Sequence, residues 1–179
     1  ETIVEAVDKI RDTAASHERI FIVEVMGRES GYLAIESGIA AGAEMILIPE
    51  YKTNLNSIVD EIKKINKEKK SLIIVYAEGC KFGSLKKLTK AIKTNIEGSN
   101  VRYSILGHIQ RGGTAVPSDR ILGTILGNKC IEFISKGEMN KMVGLIDNKT
   151  ILNPIDEILK KKKGINTELY EISRMISNY

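Results

Sequence analysis

A chain of 179 residues has room for one domain or one and a part, and 42% hydrophobic residues are enough for a packed core. With no Trp and a net charge of only +4, the sequence lacks the arginine–aromatic interleaving of a nucleic-acid surface, and no apolar run approaches the ~20 residues of a membrane span. The two cysteines, Cys80 and Cys130, have no metal-ligand spacing and read as free thiols of a reducing cytosol.

Ile3, Val7 and Ile10 recur at helical spacing and predict a helix over residues 2–15 that carries Arg11 near its end. Ser16-His17-Glu18 breaks that pattern and reads as a polar turn. Arg19 to Met26 is nearly continuous in apolar residues, which predicts a strand buried on both faces, as in a parallel sheet. Gly27 and Gly31 bracket a loop carrying Arg28, and a helix follows from Leu33 to Ala41. Its small residues predict close packing on the sheet. Gly42, Ala43 and Glu44 lead into a short strand, Met45 to Ile48, closed by Pro49. Asn54 or Asn56 caps the next helix, built on Leu55, Ile58, Val59, Ile62 and Ile65. Lys63, Lys64, Lys67, Lys69 and Lys70 crowd its end, where cations complement the helix dipole.

Ser71 to Ala77 reads as a third strand, ending at Glu78-Gly79, and Leu85, Leu88 and Ile92 mark a helix. Val101 to Leu106 is the fourth strand, with Arg102 near its start. It runs into Gly107-His108-Ile109-Gln110-Arg111-Gly112-Gly113. Glycines let such a turn approach a ligand closely, and a guanidinium beside an imidazole suits a phosphate. The spacing is not a P-loop, because Gly113 stands where the lysine is required. Pro117 starts a helix over Ile121 to Ile134, Val143 to Ile146 reads as a fifth strand, and Ile155–Leu159 and Leu169–Ile176 as final helices. Lys160 to Lys163 reads as a solvated helix end. The alternation predicts an α/β fold with a mainly parallel sheet.

Sorting polar residues by strand end separates two groups. Met26, Gly27, Arg28, Glu78, His108 and Arg111 fall at carboxyl ends, where open α/β sheets hold ligands. Arg19, Glu44, Lys69 and Arg102 fall at amino ends. Six extended residues, from Arg102 to His108, span roughly 20 Å, too far for both to grip one phosphate. The amino-end charges are therefore solvated, form a second site, or reach a neighbouring subunit.

The segments Gly107 to Gly113 with Pro117 and Asp119-Arg120, Val23-Glu24-Val25-Met26-Gly27-Arg28, and Ala77-Glu78-Gly79 together resemble the signature motifs of the phosphofructokinase family, bacterial ATP-dependent type, in order and spacing. The resemblance runs from Glu1 to about Asp156. It implies a three-layer α/β substrate domain over residues 1–109, a segment over 110–160 that packs on the nucleotide domain, and a carboxyl-terminal helix over 161–179 returning to the substrate domain. It further implies that Met26, Gly27, Arg28, Glu78, His108 and Arg111 bind fructose 6-phosphate in their own subunit. Arg19 and Arg102 would complete the site of an adjacent subunit, and Arg28 would meet transition-state charge. Arg11, Gly42, Ala43, Glu44, Lys67 and Lys69 match an effector site for ADP or phosphoenolpyruvate, with Glu44 acting through Mg2+.

The activity implied is phosphoryl transfer from ATP to fructose 6-phosphate, with Mg2+, in a cytoplasmic glycolytic homotetramer. Pyrophosphate is an alternative donor, and a noncatalytic sugar-phosphate or nucleotide sensor an alternative function. The family's Gly-Gly-Asp phosphate loop and its Thr-Ile-Asp segment with the general base do not occur here. The opening at Glu1 in helical pattern reads as a fragment or processed chain, and the Ile121–Ile134 helix is expected to expose an apolar face.

Overall fold

The computed structural model describes residues 1–15, 18–69, 71–161 and 164–176. His17, Lys70 and part of the Lys160–Lys163 run lie outside them. The chain divides into two compact units, Glu1–Gly113 with Gly164–Tyr179, and Thr114–Lys163.

The first unit is built on a sheet of β1 (Arg19–Val25), β2 (Met45–Leu47), β3 (Leu72–Ala77) and β4 (Asn100–Ile105), in the order β2-β3-β1-β4. Every neighbouring pair is parallel. The central β3 is buried along its whole length, as its Leu-Ile-Ile-Val-Tyr-Ala run predicts. Helices α1 (Thr2–Ala15), α2 (Tyr32–Ala40), α3 (Leu55–Glu68) and α4 (Leu85–Asn95) cover the sheet, α1 packing with α2 and α3 with α4. Right-handed crossovers place α2 on one face and α3 and α4 on the other, which makes three layers. In α3 the buried residues Ile58, Val59, Ile62 and Ile65 form the stripe expected from periodicity. Its cap is Asn54, which accepts from the Ser57 N–H at 2.8 Å. Gly38 of α2 is tight: a Cβ there would lie 2.7 Å from Ile46 Cδ1, so the helix sits directly on β2. A later helix (Thr167–Ile176) returns to pack on α2 and β2.

The second unit holds α5 (Pro117–Ser135), a hairpin of β5 (Lys141–Ile146) and β6 (Lys149–Pro154), α6 (Ile155–Lys160) and no fully buried apolar residue among those described. The helix from Thr167 is thus α7. Sequence reading finds β5 but misses β6. The hairpin turn is Asp147-Asn148, both at positive φ, a pairing that favours a tight two-residue connection. Ile121, Ile131 and Ile134 of α5 are exposed, so the helix presents the uncovered apolar residues that its sequence predicts.

Candidate functional site

At the carboxyl end of the sheet, the connections after β1 and β3 leave toward opposite faces. These two strands are neighbours, and the crevice between such strands is where α/β sheets bind ligands. Here β1 stops at Val25, one residue short of expectation, because the Met26 N–H turns away from the ladder. It donates instead to Gln110 Oε1 at 2.8 Å. The next two N–H groups, of Gly27 and Arg28, donate to Glu78 Oε1 at 3.1 and 2.7 Å. Side chains from two other strand ends therefore hold all three residues of the turn.

Close approach makes this possible. A Cβ on Gly79 would lie 1.9 Å from the Arg28 carbonyl oxygen, so only glycine lets the β3 exit slide under the β1 turn. Arg28 itself has φ 53°, a conformation that side chains resist and that the two Glu78 hydrogen bonds help to hold.

The hydrogen bonds from Gly27 and Arg28 pull the Glu78 carboxyl below its ordinary range, and the charges of Arg28 and Arg111 add to this. Glu24, on β1, moves the opposite way, raised first by burial and then by the charge of Glu78. The two have opposite pH consequences. Glu78 is ionised more readily when folded, so its ties are complete above the ordinary carboxylate range and fail as pH falls through that range to its depressed value. Glu24 acts in the window above: as pH falls from its raised value to the ordinary carboxylate range it takes up a proton and gives up its burial penalty, before Glu78 protonates. The local readout separates them: the Gly27 and Arg28 amide resonances should hold steady near neutrality and shift only once Glu78 protonates. In a Glu78→Gln variant, Glu24 should titrate closer to a normal carboxylate.

His108 and Arg111 lie exposed on a 3-10 turn, Gly107–Arg111, that follows β4. Arg111 is near enough to Glu78 to depress its carboxyl. Met26, Gly27, Arg28, Glu78 and Arg111, with His108 three residues before it, thus share one end of one sheet. Gln110 is the residue that sequence reading passes over. No signal in the sequence marks it: its half-burial and its contact with Met26 exist only in the folded chain.

Arg19 and Arg102 lie at the other end. Arg102 is exposed, opposite Phe21 on the outer strand β4, and Arg19 begins β1. The Arg19 Nε is buried with no hydrogen-bond partner among the described residues.

A separate cluster forms where β2 begins. Glu44 is 10% exposed; its Oε2 accepts from the Ile73 N–H at 2.8 Å, and its Oε1 faces Arg11 at 3.3 Å and Lys69 at 3.9 Å. Arg11 also donates to the carbonyls of Ala41 (2.9 Å) and Gly42 (2.6 Å), with Gly42 at φ +63°. Ala43 is pinned by its N–H to the Gly38 carbonyl at 2.8 Å, and Lys67 is exposed in the last turn of α3. Glu44 is the keystone, because its loss would orphan a buried N–H and leave two cations facing each other. Glu44→Ala should lower stability by about 1–3 kcal/mol, read by denaturant unfolding.

Comparison with known proteins gives a consistent answer. The family profile described as Phosphofructokinase matches residues 1–134. An ATP-dependent 6-phosphofructokinase of Caldanaerobacter subterraneus subsp. tengcongensis is 42% identical over 177 residues, covering 98% of this chain and 54% of that protein. One from Staphylococcus epidermidis is 44% identical over 180 residues, with the same coverage. The chain therefore spans about half the length of the curated relatives it matches. Among solved structures, phosphofructokinase from Saccharomyces cerevisiae superposes with a TM-score of 0.80 at 34% identity, over 99% of this chain and 24% of that one. With its motifs, its sheet and a profile match over most of its length, the chain belongs to the phosphofructokinase family.

Proposed function

We propose that this chain is the fructose 6-phosphate-binding portion of a cytoplasmic ATP-dependent 6-phosphofructokinase. The observation that carries this reading is the Met26-Gly27-Arg28 turn, held by Glu78 beside Arg111 at the switch point of the sheet. His108 and Arg111 would take the sugar's phosphate, Arg111 through two parallel hydrogen bonds. Glu78 has its Oε2 free of the turn contacts and would accept from sugar hydroxyls, while Met26 and Gly27 shape the floor. Arg28 would meet charge on the transferring phosphoryl group, where positioning and charge stabilisation supply most of the rate. The names of the curated relatives support ATP over pyrophosphate as donor.

Residues 1–109 are read as the substrate domain, 110–160 as the segment that packs on a nucleotide domain, and 161–179 as the returning helix. Arg19 and Arg102, an extended strand's length from Glu78, are assigned to the sugar-phosphate site of an adjacent subunit in a homotetramer. Arg11, Gly42, Ala43, Glu44, Lys67 and Lys69 are assigned to an effector such as ADP or phosphoenolpyruvate, which their cations suit. Mg2+ does not fit at Glu44: that carboxylate already accepts from a backbone N–H and faces two cations. Among the described residues no group of three or more His, Cys, Asp or Glu gathers to hold a metal.

Titration of the chain with fructose 6-phosphate, followed by amide NMR, tests the proposal. Shifts should concentrate at Gly27, Arg28 and residues 107–111. Absence of binding at millimolar sugar phosphate, or binding elsewhere, would overturn it. This sequence carries no Gly-Gly-Asp loop and no Thr-Ile-Asp base, so the chain alone should bind without turning over ATP. A coupled assay with contaminating enzyme excluded checks that.

A further inference from the structure

We propose that Gln110 is a positioning residue that locks the sugar-facing turn, Met26-Gly27-Arg28, to the phosphate-facing turn that carries His108 and Arg111; this rests on the site reading above. The bond from Met26 N–H to Gln110 Oε1 joins residues 84 apart in sequence and is a side-chain link between the two turns. Its direction is fixed by chemistry. An N–H facing the amide requires the carbonyl oxygen there, so the Gln110 Nε2 must point the other way.

That second end is informative. The Gln110 Nε2 is buried and has no hydrogen-bond partner among the described residues. A buried donor left unmet destabilises the fold. An apolar side chain of similar size would avoid this at the Nε2 side, so packing alone does not explain a glutamine here. What the amide uniquely supplies is the acceptor for Met26. Glu78 fixes the next two N–H groups, so Gln110 completes the restraint on the turn from the side on which His108 and Arg111 sit. The distance between the phosphate grip and the sugar grip is then set by one hydrogen bond rather than by the flexible ends of two loops. Holding such groups in register is how a site recognises a whole sugar phosphate better than its parts.

Two variants of the 179-residue chain test this, with fructose 6-phosphate and inorganic phosphate as probes. Gln110→Leu exchanges an unmet Nε2 for an unmet Met26 N–H, so the melting temperature should hold. Met26 amide exchange should rise about tenfold or more, and fructose 6-phosphate affinity should fall about tenfold. Affinity for inorganic phosphate, which touches only the His108 and Arg111 side, should stay within about twofold of the parent, since no hydrogen bond to it is lost. Gln110→Glu keeps an acceptor for Met26 and should restore its slow exchange. Unchanged Met26 exchange and unchanged sugar-phosphate affinity in Gln110→Leu would overturn the proposal. So would a parallel loss of both probes with a lowered melting temperature, the mark of a purely structural residue. If the parent chain itself failed to bind fructose 6-phosphate, the site reading would fall, while the Met26 exchange arm would still decide whether Gln110 fixes the turn.

Discussion

Arg111→Ala should weaken fructose 6-phosphate binding by about 10- to 100-fold, the equivalent of one charge-assisted pair of hydrogen bonds. Arg111 sits exposed at the end of the 3-10 turn, so its removal leaves no cavity and orphans no buried group. The loss should therefore appear in affinity and not in stability. Lysine at the position would restore the charge but not the planar fork, and should recover only part of the affinity. The interaction is solvent-facing, so added salt should narrow the gap between wild type and variant. A second signature is internal to the protein. The charge of Arg111 contributes to holding the Glu78 carboxyl down. In Arg111→Ala, Glu78 should titrate at slightly higher pH, while its hydrogen bonds from Gly27 and Arg28, the larger cause, keep it below normal. Calorimetric titration gives the affinity and carboxyl-carbon NMR the titration. A variant that bound as well as the parent would remove Arg111 from the site.

The sheet was readable because its signals are local. The unbroken apolar run at Leu72–Ala77 and the nearly continuous one at Arg19–Val25, interrupted by Glu24, read as strands of a parallel sheet, and Ile58, Val59, Ile62 and Ile65 repeat at the period of a helix. Sorting charged residues by strand end also placed Glu78 and Arg28 at one end and Arg19 and Arg102 at the other, because parallel strands share a direction. Strand order was not available from spacing. That β1 lies between β3 and β4, so that Glu78 can reach the Arg28 N–H, emerges only when the helices have chosen faces.

Two features failed for different reasons. The strand Lys149–Pro154 hides its pattern among Lys, Asn and Pro, and its turn residues, Asp147 and Asn148, announce the hairpin only if both are read as tolerating positive φ. Gln110 failed because its role is made by a partner 84 residues away. Phosphate-binding residues can be recognised by type. A residue that positions another backbone has no type of its own.

Gly79→Ala should be the most damaging single methyl group in the first unit. The backbone at Gly79 lies outside the left-handed region, so the objection is to space alone. The added carbon would lie 1.9 Å from the Arg28 carbonyl oxygen, 3.0 Å from its carbon and 3.2 Å from Glu29 Cα. All three are backbone atoms, with no side-chain torsion to relieve them. One of the two loops must move by an ångström or more. The movement would pull Glu78 off the N–H groups it now meets at 3.1 and 2.7 Å, leaving Arg28 in its unfavourable φ without support. Overpacking of this kind costs about 1–3 kcal/mol. Affinity for the sugar phosphate should fall more than about tenfold, because the turn no longer offers a fixed floor. Gly107→Ala is the control. Gly107 has φ +53° and nothing within 4 Å of the added carbon, so the penalty there is conformational, about 1 kcal/mol, with no collision. Thermal melts and fructose 6-phosphate titrations of the two variants should diverge accordingly. If Gly79→Ala bound and melted like Gly107→Ala, the β1 turn would have room that this packing denies it, and the tie between Glu78 and the turn would not be what shapes the site.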